Sequence, residues 1–484
     1  MLFNSIEFLL FFLLVTPTYF LLPHRYRWLL LLTASCYFYM AFVPVYILIL
    51  GGTIVVDYFA GIWLENAEGP RRKALLVASL VANIGVLAIF KYYNFLNDNL
   101  TALLGLGEIK NPIPALKMLL PIGLSFHTFQ AMSYTIEVYR GNQKAERHFG
   151  IYALYVMFYP QLVAGPIERP QNVLHQFHEV HKFDYTNAVE GLKRMLWGLV
   201  KKLVIADRLA LYVDVIYGNT HYHNGMTFLV ASVFFAIQIY CDFSAYSDIA
   251  LGSARVMGFD LMENFRRPYF ARTVSEFWSR WHISLTTWFR DYLYIPLGGN
   301  RVSVPRWYLN QMIVFMVSGL WHGAAWTFVI WGGLNGFYLI AATATKPWRK
   351  TVAEAVGLTR LPGLHKMLEI GFTFLLICLT WVFFRAATVS DAFFILKQIA
   401  TMGTSIYTPD RFAIFTPNPA ALLYAVFGIG LLFLYEGKQE YFSGLFSLQH
   451  NSRTLVRHLT YAALVMLIML LGVLDGGQFI YFQF

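Results

Sequence analysis

The chain has 484 residues, 57% of them hydrophobic and only 13% charged, whereas an ordinary soluble domain carries roughly a quarter charged residues. That composition excludes a soluble globular protein, and apolar runs of the ~20 residues that cross a ~30 Å hydrocarbon core exclude a porin, whose strands read as ~10-residue alternating segments. The formal net charge of +10 either reports which loops face the cytoplasm or greets an anionic cofactor.

The expected class is an all-α polytopic membrane protein. The first run, Ile6 to Leu22, lacks the basic start and small-residue cleavage site of a signal peptide, so it is read as a retained span. Further spans are expected at Trp28 to Phe42, Val45 to Trp63, Ala74 to Phe90 and Leu116 to Val138. The loops after the first, third and fifth carry Arg25 and Arg27, then Arg71, Arg72 and Lys73, then Arg140, Lys144 and Arg147, which places the N-terminus outside. Phe149 to Ala164 is short and runs into YPQLVAGPIERP, where Pro160, Gly165, Pro166 and Pro170 break a helix. A re-entrant segment is expected there, and such backbone survives at membrane depth only where protein or a water-filled cavity satisfies it. GLKRMLWGLVKKLVIADRL, with Lys193, Arg194, Lys201, Lys202 and Arg208, reads as a basic amphipathic helix on the inner leaflet. Later spans are Met226 to Tyr240, Tyr308 to Trp326, Phe328 to Thr343, Leu368 to Phe384, Ala420 to Tyr435 and Leu455 to Leu474, giving about 11–12 membrane segments. Arg385 to Pro417 reads as an extramembrane loop.

Chemistry concentrates between Asp242 and Asn335. Ser275 to Pro296 reads as one interfacial helix: Thr273 and Glu276 have capping-box spacing, and Glu276, Arg280, Ser284, Thr287 and Asp291 share a face opposite Phe277, Trp278, Trp281, Leu285 and Trp288. His282 falls at the edge of its apolar side. Arg266, Arg267, Arg272, Arg280, Arg290, Arg301 and Arg306 make a positive-inside loop, and with interleaved aromatics they also suit a ligand bearing phosphates and a purine. His322 is expected deep in the following span, where an ionisable group is a functional hypothesis by default and a neutral imidazole can act as general base. Gly319 and Gly323 would let a helix or a substrate approach it, and Asn335 on the next span would orient the ring or bind a carbonyl. Asp242 and Asp248 are expected to pair with arginines or cap broken helices. His175, His178 and His181 with Glu179 have a loose metal-like spacing without a second ligand motif, and the isolated Cys36, Cys241 and Cys378 imply packing, so no metal site is expected.

LLPIGLSFHTFQAMSY, YPQLVAGPIERP, YCDFSAYSDIA, ENFRRPYFARTVSEFWSRWHISLTTWFRDYLYIPLGGNR, GLWHG and the terminal FIYFQF, in this order, resemble the membrane-bound O-acyltransferase family, and within it the branch of bacterial alginate O-acetyltransferase membrane subunits. The resemblance implies one integral domain of many helices around a central funnel, here 1–164 as N-terminal helices, 165–345 as the core and 346–484 as C-terminal helices. It implies His322 and His282 as catalytic histidines, with Asn335, Trp321, Asp242, Asp248, Asn264, Trp281 and Asp291 in support. Arg280, Arg290, Asn300 and Arg301 would meet the acyl donor, acetyl-CoA, on the cytoplasmic side. Relatives often carry histidine in the motif that reads WGGLNG here, so Asn335 can orient or bind but cannot serve as a base. The implied activity is O-acetylation of an extracytoplasmic polysaccharide at the bacterial inner membrane, completed by a periplasmic or membrane-anchored partner, with no nucleic acid involved. A D-alanyl transferase fed by a carrier protein, and a transporter with proton-relay histidines, are the competing readings.

Overall fold

The computed structural model describes residues 1–116, 121–401, 419–442, 453–474 and 479. Among them the regular structure is helical throughout, with no strand. A helix satisfies all its backbone groups internally, which lipid demands. The helices are α1 (Ile6–Leu21), α2 (His24–Met40), α3 (Ile47–Asn66), α4 (Gly69–Leu87), α5 (Tyr93–Gly105), α6 (Leu124–Arg140), α7 (Phe149–Met157), α8 (Tyr185–Leu199), α9 (Asp207–Gly218), α10 (Gly225–Val256), α11 (Val274–Arg280), α12 (Ile283–Phe289), α13 (Val304–His322), α14 (Trp326–Ala344), α15 (Lys346–Ala355), α16 (Pro362–Arg385), α17 (Val389–Ala400), α18 (Pro419–Tyr441) and α19 (Thr454–Leu471). Six helical stretches among the described residues are long and apolar enough to cross a membrane, including the 37-residue run Gly69–Gly105 that joins α4 to α5. The first half of the expected loop from Arg385 to Pro417 contains α17, while residues 402–417 and the terminal FIYFQF apart from Phe479 lie outside the described residues.

The chain forms two compact units, Met1–Met195 with Tyr246–Met262, and Leu196–Ala245 with Glu263–Phe484. In the first, α3, α4 and α6 pack around a buried carboxylate. Asp57 accepts from Ser79 Oγ at 2.6 Å and from Asn83 Nδ2 at 2.9 Å. After the nine-residue α7 the chain runs on as irregular, buried backbone through Glu168. Protein groups satisfy it. Tyr159 N donates to Ser35 Oγ at 3.0 Å and the Glu168 carbonyl accepts from the Tyr155 hydroxyl at 2.9 Å, while the Gln130 and Gln161 amides donate to the Tyr155 carbonyl in the last turn of α7 at 2.6 and 2.8 Å.

In the second unit the sequence expectation of a surface-lying basic helix is corrected. After α8 the chain passes through a π-helical turn, Val200–Ala206, in which every residue is buried. Lys201 donates to Ser244 Oγ at 2.7 Å, and Lys202 sits between Asp207 and Asp242 at 2.8 and 2.7 Å. Ammonium groups paired this way can leave the surface, as isolated ones cannot. A second correction concerns α10, which runs unbroken for 32 residues through YCDFSAYSD. The aspartates therefore cap no break. Asp242 pairs with Lys202, and Asp248, in the first unit, pairs with Arg194 at 2.9 Å.

Candidate active site

The expected helix from Ser275 to Pro296 is broken in two. Thr273 caps α11, its Oγ accepting from Glu276 N at 3.1 Å, but the helix ends at Arg280. Trp281 is extended, and His282 lies in the left-handed region at φ 43° before α12 begins. This conformation disfavours any residue with a Cβ, so its neighbours must enforce it. They do so through the segment after α10. Ile283 N donates to the Asn264 carbonyl and Arg266 N to the Arg280 carbonyl, both at 2.9 Å. The Asn264 side-chain oxygen accepts from Ser284 N at 3.2 Å and Ser284 Oγ at 2.9 Å, and stands 3.1 Å from His282 Nδ1.

The break also ends the single polar face expected from periodicity, since Ser284 is fully buried. Because Asn264 Oδ1 already accepts from a backbone N–H, it must be the acceptor for His282 as well. Nδ1 is then the donor. Burial pushes the His282 imidazole down to about 3, so the neutral ring presents its Nε2 lone pair. Phe243, next to Asp242 on α10, packs its ring at 90° to the imidazole with centroids 4.7 Å apart.

His322 is the last residue of α13, about 27 Å from its start at ~1.5 Å per residue, and only 4% exposed. Its ring centroid lies 6.5 Å from that of His282. Trp321, Trp331 and Phe384 enclose it at 4.9, 5.0 and 5.5 Å. Glycines bring α13 and α14 together here. A Cβ on Gly319 would lie 2.3 Å from the Phe328 carbonyl oxygen, and one on Gly332 2.2 Å from that of Phe315. The glycines beside His322 thus admit a helix.

The same register places Asn335 opposite residue 316, roughly 9 Å along the axis from His322 at ~1.5 Å per residue. Its amide donates to the Trp331 carbonyl at 2.8 Å. Trp331 is the residue in ring contact with His322. Sequence reasoning passed over it, although its spacing of one helical turn from Asn335 was visible in WGGLNG.

A cavity of about 410 Å³ opens beside His282, which lines it together with Trp278, Ser279, Thr286, Arg290, Gln311, Phe315 and Ser318 among others. Trp278 links it to His322, for its ring meets that of Trp331 at 5.7 Å. The predicted arginines divide. Arg290 reaches the cavity wall, its Nε 2.8 Å from Asp291, and Asn300 and Arg301 are exposed. Arg280 is held by Glu276 and Glu440 at 2.6 and 2.9 Å, Arg267 by Glu440 at 2.7 Å and Arg272 by Glu369 at 2.6 Å. Trp281 is buried, its ring 5.2 Å from Phe265. His178 bonds Glu146 at 2.8 Å and His181 the Gln176 carbonyl at 2.8 Å. Among the described residues no group of three or more His, Cys, Asp or Glu side chains is placed to hold a metal ion.

The pattern of the membrane-bound O-acyltransferase family matches residues 146–384, which contain both histidines. A "probable alginate O-acetylase" of Pseudomonas aeruginosa is 39% identical over 84% of this chain and 76% of its own length. A peptidoglycan O-acetyltransferase of Helicobacter pylori is 34% identical over 78% of this chain and 74% of its own. A teichoic acid D-alanyltransferase of Bacillus subtilis is 25% identical over 47% of this chain and 60% of its own. With similarity of this extent to proteins of one kind, the chain belongs to the membrane-bound O-acyltransferase family and is a multi-pass membrane acyltransferase.

Proposed function

We propose that this protein takes acetyl groups from cytoplasmic acetyl-CoA and passes them across the inner membrane for O-acetylation of an extracytoplasmic polysaccharide, its N-terminus facing outside. The observation that carries the reading is the pair of buried imidazoles 6.5 Å apart, one of which, His282, lines a cavity with Arg290 on its wall. A phosphate-bearing donor would meet Arg290, Asn300 and Arg301 and lay its thioester toward the histidines. His322 would take the proton of the acceptor hydroxyl as it attacks the thioester carbon. Standing at the carbonyl end of α13, it is where a developing imidazolium is favoured.

His282, whose Nδ1 donates to Asn264 Oδ1, suits a second proton acceptor better than an oxyanion donor. The Trp331 indole N–H, buried with no acceptor among the described residues and on a ring in contact with His322, is a donor available for the oxyanion. Coenzyme A leaves as its thiol, taking the proton that His322 accepted. Alginate, cellulose and peptidoglycan are the polysaccharides proposed, in that order. The similarity to an alginate O-acetylase supports the first, and a periplasmic or membrane-anchored partner would complete delivery.

Purified protein given radiolabelled acetyl-CoA should release or transfer label, and His322→Ala should lower that turnover by about 10²–10⁴-fold, the usual contribution of a general base. Unchanged turnover in folded His322→Ala would remove the base assignment. Use of a D-alanyl carrier protein with no reaction of acetyl-CoA would replace the donor.

A further inference from the structure

We propose that helix α18 is a positioning element for His282, acting through Glu440 and Glu436. This rests on the participation of His282 in the reaction proposed above. His282 is one of only three non-glycine residues with positive φ among those described, and Arg267 is another. Such backbone persists where its surroundings over-determine it. The turn at His282 is pinned to the segment Asn264–Arg267, and an arginine ends each of the paired strands of chain, Arg267 on one and Arg280 on the other.

Two guanidinium groups side by side repel unless a carboxylate joins them. Glu440 does so with one oxygen each, Oε2 to Arg267 Nε at 2.7 Å and Oε1 to Arg280 at 2.9 Å. Its side chain is 15% exposed, so solvent screens these bonds less than it would on the surface. The two arginines outweigh the burial that opposes its charge and hold its carboxyl below the ordinary value.

One turn earlier on α18 a second carboxylate grips the other side. Glu436, 5% exposed, accepts from the Tyr240 hydroxyl. The Tyr240 ring packs on Trp281 at 6.0 Å and on Phe265 at 5.9 Å, the residues adjoining His282 and Asn264. The single helix thus fastens the turn from its arginine side and from its aromatic side. Neither carboxylate reaches the reacting atoms, so their effect must travel through the placement of the imidazole.

The test is a double-mutant cycle on the purified full-length protein with acetyl-CoA as donor, since residues acting through one another are non-additive. We expect Glu440→Gln to lower kcat about tenfold with KM for acetyl-CoA changed less than about twofold, and Glu440→Asp to recover most of the loss. In the background of His282→Gln, the same Glu440→Gln change should cost less than about twofold. Should Glu440→Gln fail to fold, Arg267→Asn breaks the same link from its other end, tolerates left-handed backbone and carries the same expectation. Full turnover in folded Glu440→Gln, or a loss that multiplies undiminished on His282→Gln, overturns the proposal. If wild type turns over no acetyl-CoA, the donor reading fails first and separately.

Discussion

A histidine neutral in the folded protein makes folding sensitive to acid, and His282 does so with a definite sign. Its folded value lies near 3 against an ordinary 6.5. As pH falls through 6.5 the unfolded chain takes up a proton that the buried ring refuses. The stability this residue contributes is therefore complete above 6.5 and is lost on the way down to about 3, at about 1.4 kcal/mol per pH unit. The apparent melting temperature of wild type in detergent should fall between pH 7 and pH 5 by more than that of His282→Asn. Equal falls would show that His282 is not buried as described. The sequence marked both histidines as the residues to watch, because an imidazole within an apolar pattern is legible. The left-handed turn was not, because helical periodicity continued through it and the bonds that break the helix come from Asn264, eighteen residues upstream.

At the scale of the helices, α13 and α14 depend on having no Cβ where they cross. Gly332→Ala would press a methyl group to 2.2 Å from the Phe315 carbonyl, against backbone that cannot rotate away, at a cost of about 1–3 kcal/mol. Gly333→Ala, whose Cβ meets nothing within 4 Å, serves as the control. Monodispersity and melting temperature should fall for the first and hold for the second. This crossing was partly legible: GLWHG and WGGLNG announced close approach, but only the register shows that Gly332 meets Gly319 and that Trp331, rather than Asn335, faces His322. The arginine-rich loop was legible as basic, but its ion pairs were not, since Glu369 on α16 and Glu440 on α18, which pair with Arg272 and with Arg267 and Arg280, stand 97 to 173 residues away in sequence.

Across the whole molecule, the buried charges that Lys202 joins are expensive to disturb. Lys202→Met would leave Asp207 and Asp242 facing each other without their cation, at a cost of about 3–5 kcal/mol. Its melting temperature should drop sharply, and Asp207→Asn with Asp242→Asn should restore part of the loss. The helical class and most span positions were legible because lipid imposes one length and one polarity on every crossing. The depth of Lys201 and Lys202 was not, since a basic amphipathic pattern reads alike on a membrane surface and in a paired interior.

The division of the chain into units has a consequence for how the protein is made. The first unit is interrupted at Met195 and completed only by Tyr246–Met262, which are translated after fifty residues of the second have emerged. Neither unit is a continuous stretch of polypeptide, so no single cut yields either one whole, and the first cannot close during synthesis until residue 262 has left the ribosome.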